Sequence, residues 1–567
     1  MRTKDQAERE PGIGRRQLLQ GLGIGAMAAG SGLPHRGYAM SGKAAAYFTH
    51  GVASGDPLQD RVILWTRVLP HRAIDLLTVF WQVAQDAAFN QVVAAGESKA
   101  QAAQDYTVKV DAIGLQPGQD YFYRFAALGV VSDTGRTKTL PVGGVEEFRL
   151  GVASCSNYPQ GYFNAYRHMA DSDLDLVLHL GDYLYEYPDG EYADDYALNT
   201  LGRHVLPAGE MIALEDYRTR YGVYRSDPDL QAVHQRHPFV CVWDDHEIAN
   251  DTWHSGAENH SEDEGDFALR LQAARQAYHE WMPIRTPASG DQGPIYRHFA
   301  IGDLADLLML DTRIVGRDQQ LSYAADMLFH SSADRQQVPV PDGAAFTAKR
   351  LQDPSRDLLG AQQEQWLART VADSVGRGAS WQVLGQQVLM GNVGIPKLDK
   401  SAFDDPNMPV EERQYIALMQ TLGDQGMPLN LDAWDGYPAS RDRVTQMLAD
   451  AGANTITLAG DTHNAWAFDL SDIRQRPVGV EIGTPAITSP GMESYMPGTP
   501  DEVAAAMQAA SPGLVSVDVS NRGWTEVTLT PEATHSRWHF VSSVLDRRFT
   551  VRSSDALTCL QGARRFS

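Results

Sequence analysis

Between residues 45 and 143 the chain reads as short runs in which apolar and polar positions alternate. Tyr121-Phe122-Tyr123-Arg124-Phe125 shows the period of two that puts one set of side chains on one face of a strand. Residues 62–68, 78–83, 106–110 and 121–127 are predicted strands. Turn chemistry separates them at Gly55-Asp56-Pro57 and Pro117-Gly118-Gln119-Asp120. No helical period of any length interrupts this stretch. The expectation is a small β-sandwich of the fibronectin III or immunoglobulin kind. It carries no cluster of reactive groups, so its expected role is to pack on, or position, the larger C-terminal part of the chain.

Pro141-Val142-Gly143-Gly144 reads as a linker, and the pattern changes after it. Continuous apolar runs at 148–153, 174–180, 238–243, 304–310, 381–384 and 455–459 each end in a polar cluster, with amphipathic stretches between them. Such runs predict strands buried on both faces, in an α/β arrangement. Ligand chemistry in such sheets gathers beyond the carboxyl ends of the strands. The expected organisation is a signal segment at 1–40, a sandwich at 45–143, and a catalytic domain with a C-terminal extension at 147–567. Residues 187–236 and 316–356 are long insertions that can wall or cover a site. Residues 540–548 are a further candidate cover for its mouth.

The first forty residues change the picture of where the protein works. Gly14-Arg15-Arg16-Gln17-Leu18-Leu19-Gln20 precedes a mild, Gly- and Ala-rich apolar run at 22–33, and Gly37-Tyr38-Ala39 offers a cleavage site. A paired arginine before a weakly apolar stretch resembles a twin-arginine export signal, which implies the twin-arginine translocation machinery as a partner and a periplasmic or secreted location. The run is too short and Gly-rich to span a bilayer stably.

Charge narrows the ligands. The 567 residues hold 48 Lys and Arg against 72 Asp and Glu, a formal charge of −24. That balance excludes nucleic-acid binding by bulk charge, and a phosphate-bearing substrate must then meet local positive charge, such as a metal ion. Three cysteines, Cys155, Cys241 and Cys559, supply no disulfide framework.

The strand-end clusters supply the candidate chemistry. Asp182 and Tyr185 follow the second apolar run; a carboxylate there can bridge two cations, and a phenolate suits only a strong Lewis acid such as Fe³⁺. Cys155 ends the run before, as a thiolate ligand or as a small buried apolar side chain. In Asp244-Asp245-His246-Glu247, adjacent carboxylates repel unless a cation sits there, and an imidazole beside them suits proton donation to a leaving alkoxide. Asn250 and Asp251 add oxygen donors of the kind Ca²⁺ prefers. Asp461 and His463, two residues apart on an extended segment, can face one site.

Together these clusters resemble the calcineurin-like metallophosphoesterase pattern and, within it, the PhoD-like alkaline phosphatase family. The resemblance runs from His50-Gly51-Val52-Ala53-Ser54-Gly55-Asp56-Pro57 and Trp65-Thr66-Arg67 through Ala153-Ser154-Cys155-Ser156, Gly181-Asp182-Tyr183-Leu184-Tyr185 and Trp243-Asp244-Asp245-His246-Glu247. It ends with Ala459-Gly460-Asp461-Thr462-His463 and Thr484-Pro485-Ala486-Ile487-Thr488-Ser489-Pro490-Gly491. It implies a four-layer αββα catalytic domain and a cofactor of Fe³⁺ with Ca²⁺. By the same resemblance, Cys155, Asp182, Tyr185 and His463 serve iron, Asp182 bridges, and Asp245 and Asp461 serve the second cation. Asn250 is the candidate for a further calcium, Gln387 a weaker one. His246 faces the substrate, with Asp245 beside it. Arg313 or Arg317 is a candidate holder of a phosphate oxygen, against the plainer reading of ion pairs with Asp311 or Asp318.

The expected activity is hydrolysis of phosphate esters, mono- or diester, by metal-activated oxygen attack. A phospholipase D-like phosphodiesterase on the same fold is the alternative. A non-enzymatic calcium-binding envelope protein is the reading from a different class.

Overall fold

The computed structural model describes residues 46–287, 292–330, 340–397 and 410–567. The segment read as an export signal lies outside them. All six apolar runs after the linker form strands: Phe148–Ala153, Leu176–His179, Pro238–Cys241, Ala305–Met309, Trp381–Gly385 and Thr455–Ala459.

The N-terminal region is a sandwich, but one of its layers is shared. Leu76–Ala84, Val92–Gln101, Asp120–Ala127, Val130–Val131 and Gly135–Lys138 make a five-stranded sheet. It closes over Val52–Gly55, Arg61–Arg67 and Thr107–Ile113 around Val62, Leu64, Val79, Val83, Val108, Tyr123 and Phe125. Those three strands are also one end of a ten-stranded sheet. Val52–Gly55 pairs in parallel with Pro238–Cys241, Ser54 opposite Pro238 and Gly55 opposite Phe239. A Cβ on Gly55 would lie 2.3 Å from the Pro283 carbonyl oxygen and 2.6 Å from that of Phe239, so only glycine lets the strands meet. Asp56, expected only as a turn residue, is buried and ion-paired to Arg297 at 2.7 Å. The chain is therefore stitched at this turn, not merely linked at 141–144.

The ten-stranded sheet continues from Pro238–Cys241 through Leu176–His179 and Phe148–Ala153, in parallel, to the antiparallel strands Arg522–Leu529 and Ala533–Val541. A seven-stranded sheet holds Ala305–Met309, Trp381–Gly385, Thr455–Ala459 and Pro477–Gly483 in parallel at its centre. Its strands alternate between two cores. Leu307, Val383 and Ile456 pack with Leu150, Val152, Leu178 and Val240 of the larger sheet. Leu308 and Leu384 pack with Leu367 and Val371 of helix Ala361–Gly376 and with Val444 and Leu448 of helix Pro438–Ala451. Helices Asn164–Asp171 and Pro228–Arg236 lie on the larger sheet. The second starts where sequence dictates: Asp227 caps the N–H groups of Asp229 and Leu230, and Pro228 takes the first turn, where no N–H is needed.

Residues 540–548 pack on the end of the loop that follows Phe148–Ala153 and on the first turns of the two helices. The Val544 carbonyl accepts from the Tyr162 N–H, those of Ser543 and Asp546 accept from the Asn164 amide, and Arg547 pairs with Asp229. Among the described residues, no helix is long and apolar enough to cross a membrane.

Candidate active site

Loops from both sheets converge. Cys155 follows Phe148–Ala153, Asp182 and Tyr185 follow Leu176–His179, and Asp244 to Glu247 follow Pro238–Cys241; Asp461 and His463 follow Thr455–Ala459 of the other sheet. Two glycines permit the approach. A Cβ on Gly181 would sit 2.3 Å from the Asp244 Cβ, and one on Gly460 would sit 2.9 Å from the Ser154 Cβ. Cys155, Asp182, Asp461 and His463 all hold φ between 54° and 65°, a left-handed conformation unusual for residues with a Cβ and concentrated at functional sites.

Ligand atoms of Cys155, Asp182 and His463 lie within 4.8 Å of one another, and so do those of Asp182, Asp245 and His246. Asp182 belongs to both groups. The Tyr185 hydroxyl donates to Asp182 Oδ2 at 3.1 Å, lies 3.3 Å from His463 Nε2, and accepts from Ser489 Oγ at 2.7 Å. Asp182 Oδ1 and Asp244 Oδ2 are buried without a hydrogen-bond partner. Two such oxygens, beside sulfur, phenol and imidazole donors, fit a cation, because buried carboxylates otherwise require partners.

Electrostatics agrees. Burial, with neighbouring carboxylates, pushes Asp182 and Asp244 well above the usual carboxylate range. Burial likewise pushes Asp461 and Asp251 up to about 7 and the Cys155 thiol and Tyr185 phenol well up. Burial lowers His463 to about 3, leaving a neutral imidazole. Such a cluster surrenders protons to an arriving cation. His246 is the exception. Burial opposes its charge, but Asp245, Glu186 and Asp182 outweigh burial and hold it well above the usual imidazole range.

Carboxylates in and around the cluster hold its shape. Glu247 accepts the N–H groups of Asp182, Tyr183 and Asp244 at 3.1, 2.6 and 2.8 Å, tying two loops together. Glu186 Oε2 lies 2.7 Å from His246 Nδ1, and Oε1 accepts from the Asn250 N–H and the Asn259 amide. Asp245 Oδ2 accepts the Asp251 N–H at 2.8 Å.

The expected residues do not all converge alike. Asn250 donates its side-chain amide to Glu258 at 3.1 Å, whereas neighbouring Asp251 faces Asp245 and Asp432. Gln387 braces strand ends, bonding Thr312, Trp243 and Leu310. Arg313 and Arg317 are fully buried, and their ion-pair partners are not Asp311 and Asp318. Arg313 pairs with Asp244, with Asp432 at 2.7 Å and with Asp461 at 3.1 Å; Arg317 pairs with Asp432. Asp432 is the acid that draws both arginines inward, and no strand or motif precedes it in the sequence to mark it.

The sequence pattern also leaves Glu186, Tyr192 and Arg522 unmarked, and marks Ser489 only as part of the motif at 484–491. Glu186 directly follows Tyr185, which was its available signal. Tyr192 places its hydroxyl 3.3 Å from His463 Nδ1. Arg522 pairs with Glu493 through Nη2, while its buried Nη1 has no partner.

Known proteins resemble this chain in sequence and fold. The family described as PhoD-like phosphatase matches residues 150–538, and its N-terminal domain matches residues 36–141. Alkaline phosphatase D of Bacillus subtilis (strain 168) is 35% identical over 512 residues, covering 86% of this chain and 79% of that protein. A solved structure described as "Structure of PhoD" superposes with a TM-score of 0.73 at 32% identity, covering 92% of this chain and 91% of the other. The chain belongs to the PhoD-like phosphatase family and is a phosphoester hydrolase.

Proposed function

We propose that Cys155, Asp182, Tyr185 and His463 hold Fe³⁺, and that Asp182, Asp245 and Asp461 hold Ca²⁺ beside it. Anionic thiolate and phenolate donors suit a strong Lewis acid as the first cation, and carboxylates suit the second. The observation that carries this reading is Asp182, which is shared by the Cys155–Asp182–His463 and Asp182–Asp245–His246 groups and keeps Oδ1 buried without a partner; Asp461 is added to the second cation for its buried carboxylate beside Asp245. Asp251, beside Asp245, is a further oxygen donor for calcium, and Asn250 keeps its Oδ1 as a candidate ligand while its Nδ2 donates to Glu258.

When bound, the cations supply positive charge to the phosphoryl oxygens and lower the pKa of the attacking water. The residues do the rest. Ser489 donates to the Tyr185 oxygen and so favours its phenolate. Glu186, on Nδ1 of His246, orients the ring and leaves Nε2 for the leaving oxygen. Glu186, which is not among the proposed ligands, favours the protonated ring that donates to the leaving oxygen. Arg313 and Arg317 act as countercharges that hold Asp244, Asp432 and Asp461 in place. Arg522, with Nη1 unpartnered, is a further candidate for a phosphate oxygen, beside Arg317, whose buried Nε is also without a partner.

The packing of the two sheets, with helices on each, supports a four-layer αββα catalytic domain over 147–567, with the sandwich at 45–143. Arg15-Arg16 and the weakly apolar run after them support export through the twin-arginine machinery at 1–40, hence a periplasmic or secreted enzyme.

The test is metal analysis of cell-made protein together with chromogenic mono- and diester assays. Iron and calcium, with turnover lost on chelation, support the reading. Bound metal with no ester cleaved defeats the enzyme reading in favour of a calcium-binding envelope protein. Active enzyme without iron defeats the ligand assignment.

A further inference from the structure

A cavity of 450 Å³ opens beside the ligand cluster. Asp461, Thr462 and His463 form one wall. Much of the remainder is apolar, with Leu389, Val393, Leu429, Ala433, Trp466 and Met492. The wall is built rather than incidental. The Trp466 ring is fully buried and its N–H donates to Thr462 Oγ1 at 2.8 Å. The Leu429 N–H donates to the Val393 carbonyl at 2.7 Å.

A phosphate group has no use for such a space. The volume equals about fifteen waters at ~30 Å³ each, and it falls in the range of sites that take organic ligands, with Tyr192, Asn430, Ser494 and Tyr495 adding a few polar groups to the apolar lining. His246 and Glu186 do not line it. With His246 facing the leaving oxygen, an arm seated in this cavity is the one that stays on phosphorus. A monoester has no such arm.

We propose that this cavity is a subsite for the retained arm of a phosphodiester, and that the arm is an apolar alkyl or aryl alcohol of several carbons. The proposal rests on the phosphoester reading. In the reaction the water oxygen bonds to phosphorus, the bond from phosphorus to the leaving alcohol breaks, and the proton goes to that alcohol. The product is the monoester of the seated arm.

The test uses the metal-loaded enzyme and p-nitrophenyl diesters whose second arm is methyl, butyl or hexyl. Each methylene that enters the cavity raises kcat/KM about threefold to fourfold, so entry of at least four of the five added methylenes makes hexyl exceed methyl by about 80-fold or more. Leu429→Asn makes the wall polar and Ala433→Leu fills the space. Each lowers the hexyl-to-methyl ratio at least tenfold, and the ratio within one variant is insensitive to a general loss of folded enzyme. Calorimetric titration with methyl- and hexylphosphonate reads the same preference without turnover. A ratio near one in the parent enzyme, or one unchanged in both variants, overturns the subsite. Failure to hydrolyse any ester, p-nitrophenyl phosphate included, defeats the phosphoester reading instead, and the titration still decides the subsite.

Discussion

Replacing Arg313 by Met removes the one guanidinium that touches Asp244, Asp432 and Asp461 together. Methionine fills similar space without charge. At about 3 Å and an effective dielectric near 20, each pair is worth roughly 5 kcal/mol of Coulomb attraction. Desolvation of the fully buried side chain cancels much of that sum. The net cost of breaking a buried network by deleting one partner is about 3–5 kcal/mol, and that is the loss expected for the chelated protein in a urea titration. Calcium changes the outcome, because Asp461 can then spend its charge on the cation. The Ca²⁺-loaded variant therefore loses less than the chelated variant, and the stabilisation by calcium is larger in the variant than in the parent. A chelated loss under about 1 kcal/mol, or equal losses with and without calcium, refutes this reasoning.

His246→Asn removes the proton donor while leaving Asp182 and Asp245 in place; kcat is expected to fall by about 10²–10⁴ with metal content unchanged by elemental analysis. Tyr185→Phe removes the phenol beside Asp182 and His463, and the visible band of a phenolate on iron is expected to vanish, as read by absorption spectroscopy. Glu481, buried in the seven-stranded sheet, is pushed up by burial to about 7 from 4.5. The fold holds its proton more tightly than the unfolded chain, so its contribution is fully present below about pH 4.5 and is lost as pH rises to about 7. That is a decline of ~3 kcal/mol. Glu481→Gln is expected to show a correspondingly flatter stability between pH 5 and 8 in urea titrations at each pH.

Much of the catalytic half was legible because a strand buried on both faces writes a continuous apolar run, and a sheet of parallel strands puts its chemistry at one end. Phe148–Ala153 and Thr455–Ala459 are of this kind, so Cys155, Asp182, Asp245 and His463 could be named from their positions after such runs. The edge strand Val92–Gln101 was missed because one of its faces is exposed and its sequence, with three Ala and mostly small or polar residues, lacks β-branched residues beyond its first two. The shared sheet was illegible for a different reason. Pairing of Val52–Gly55 with Pro238–Cys241 depends on contacts across about 180 residues, and Gly55 reads locally as a turn. Arg313 and Arg317 illustrate the same limit. Their nearest acids in sequence are Asp311 and Asp318, but Asp432, delivered by a distant loop, takes their charge.

The account rests on one metal cluster built from four separated loops, and anomalous diffraction at the iron edge from crystals of cell-made enzyme tests it most directly. The expected result is a single iron peak within bonding distance of Cys155 Sγ, an Asp182 oxygen, the Tyr185 oxygen and His463 Nε2. Iron bound elsewhere, or a different metal among these four side chains, would contradict it.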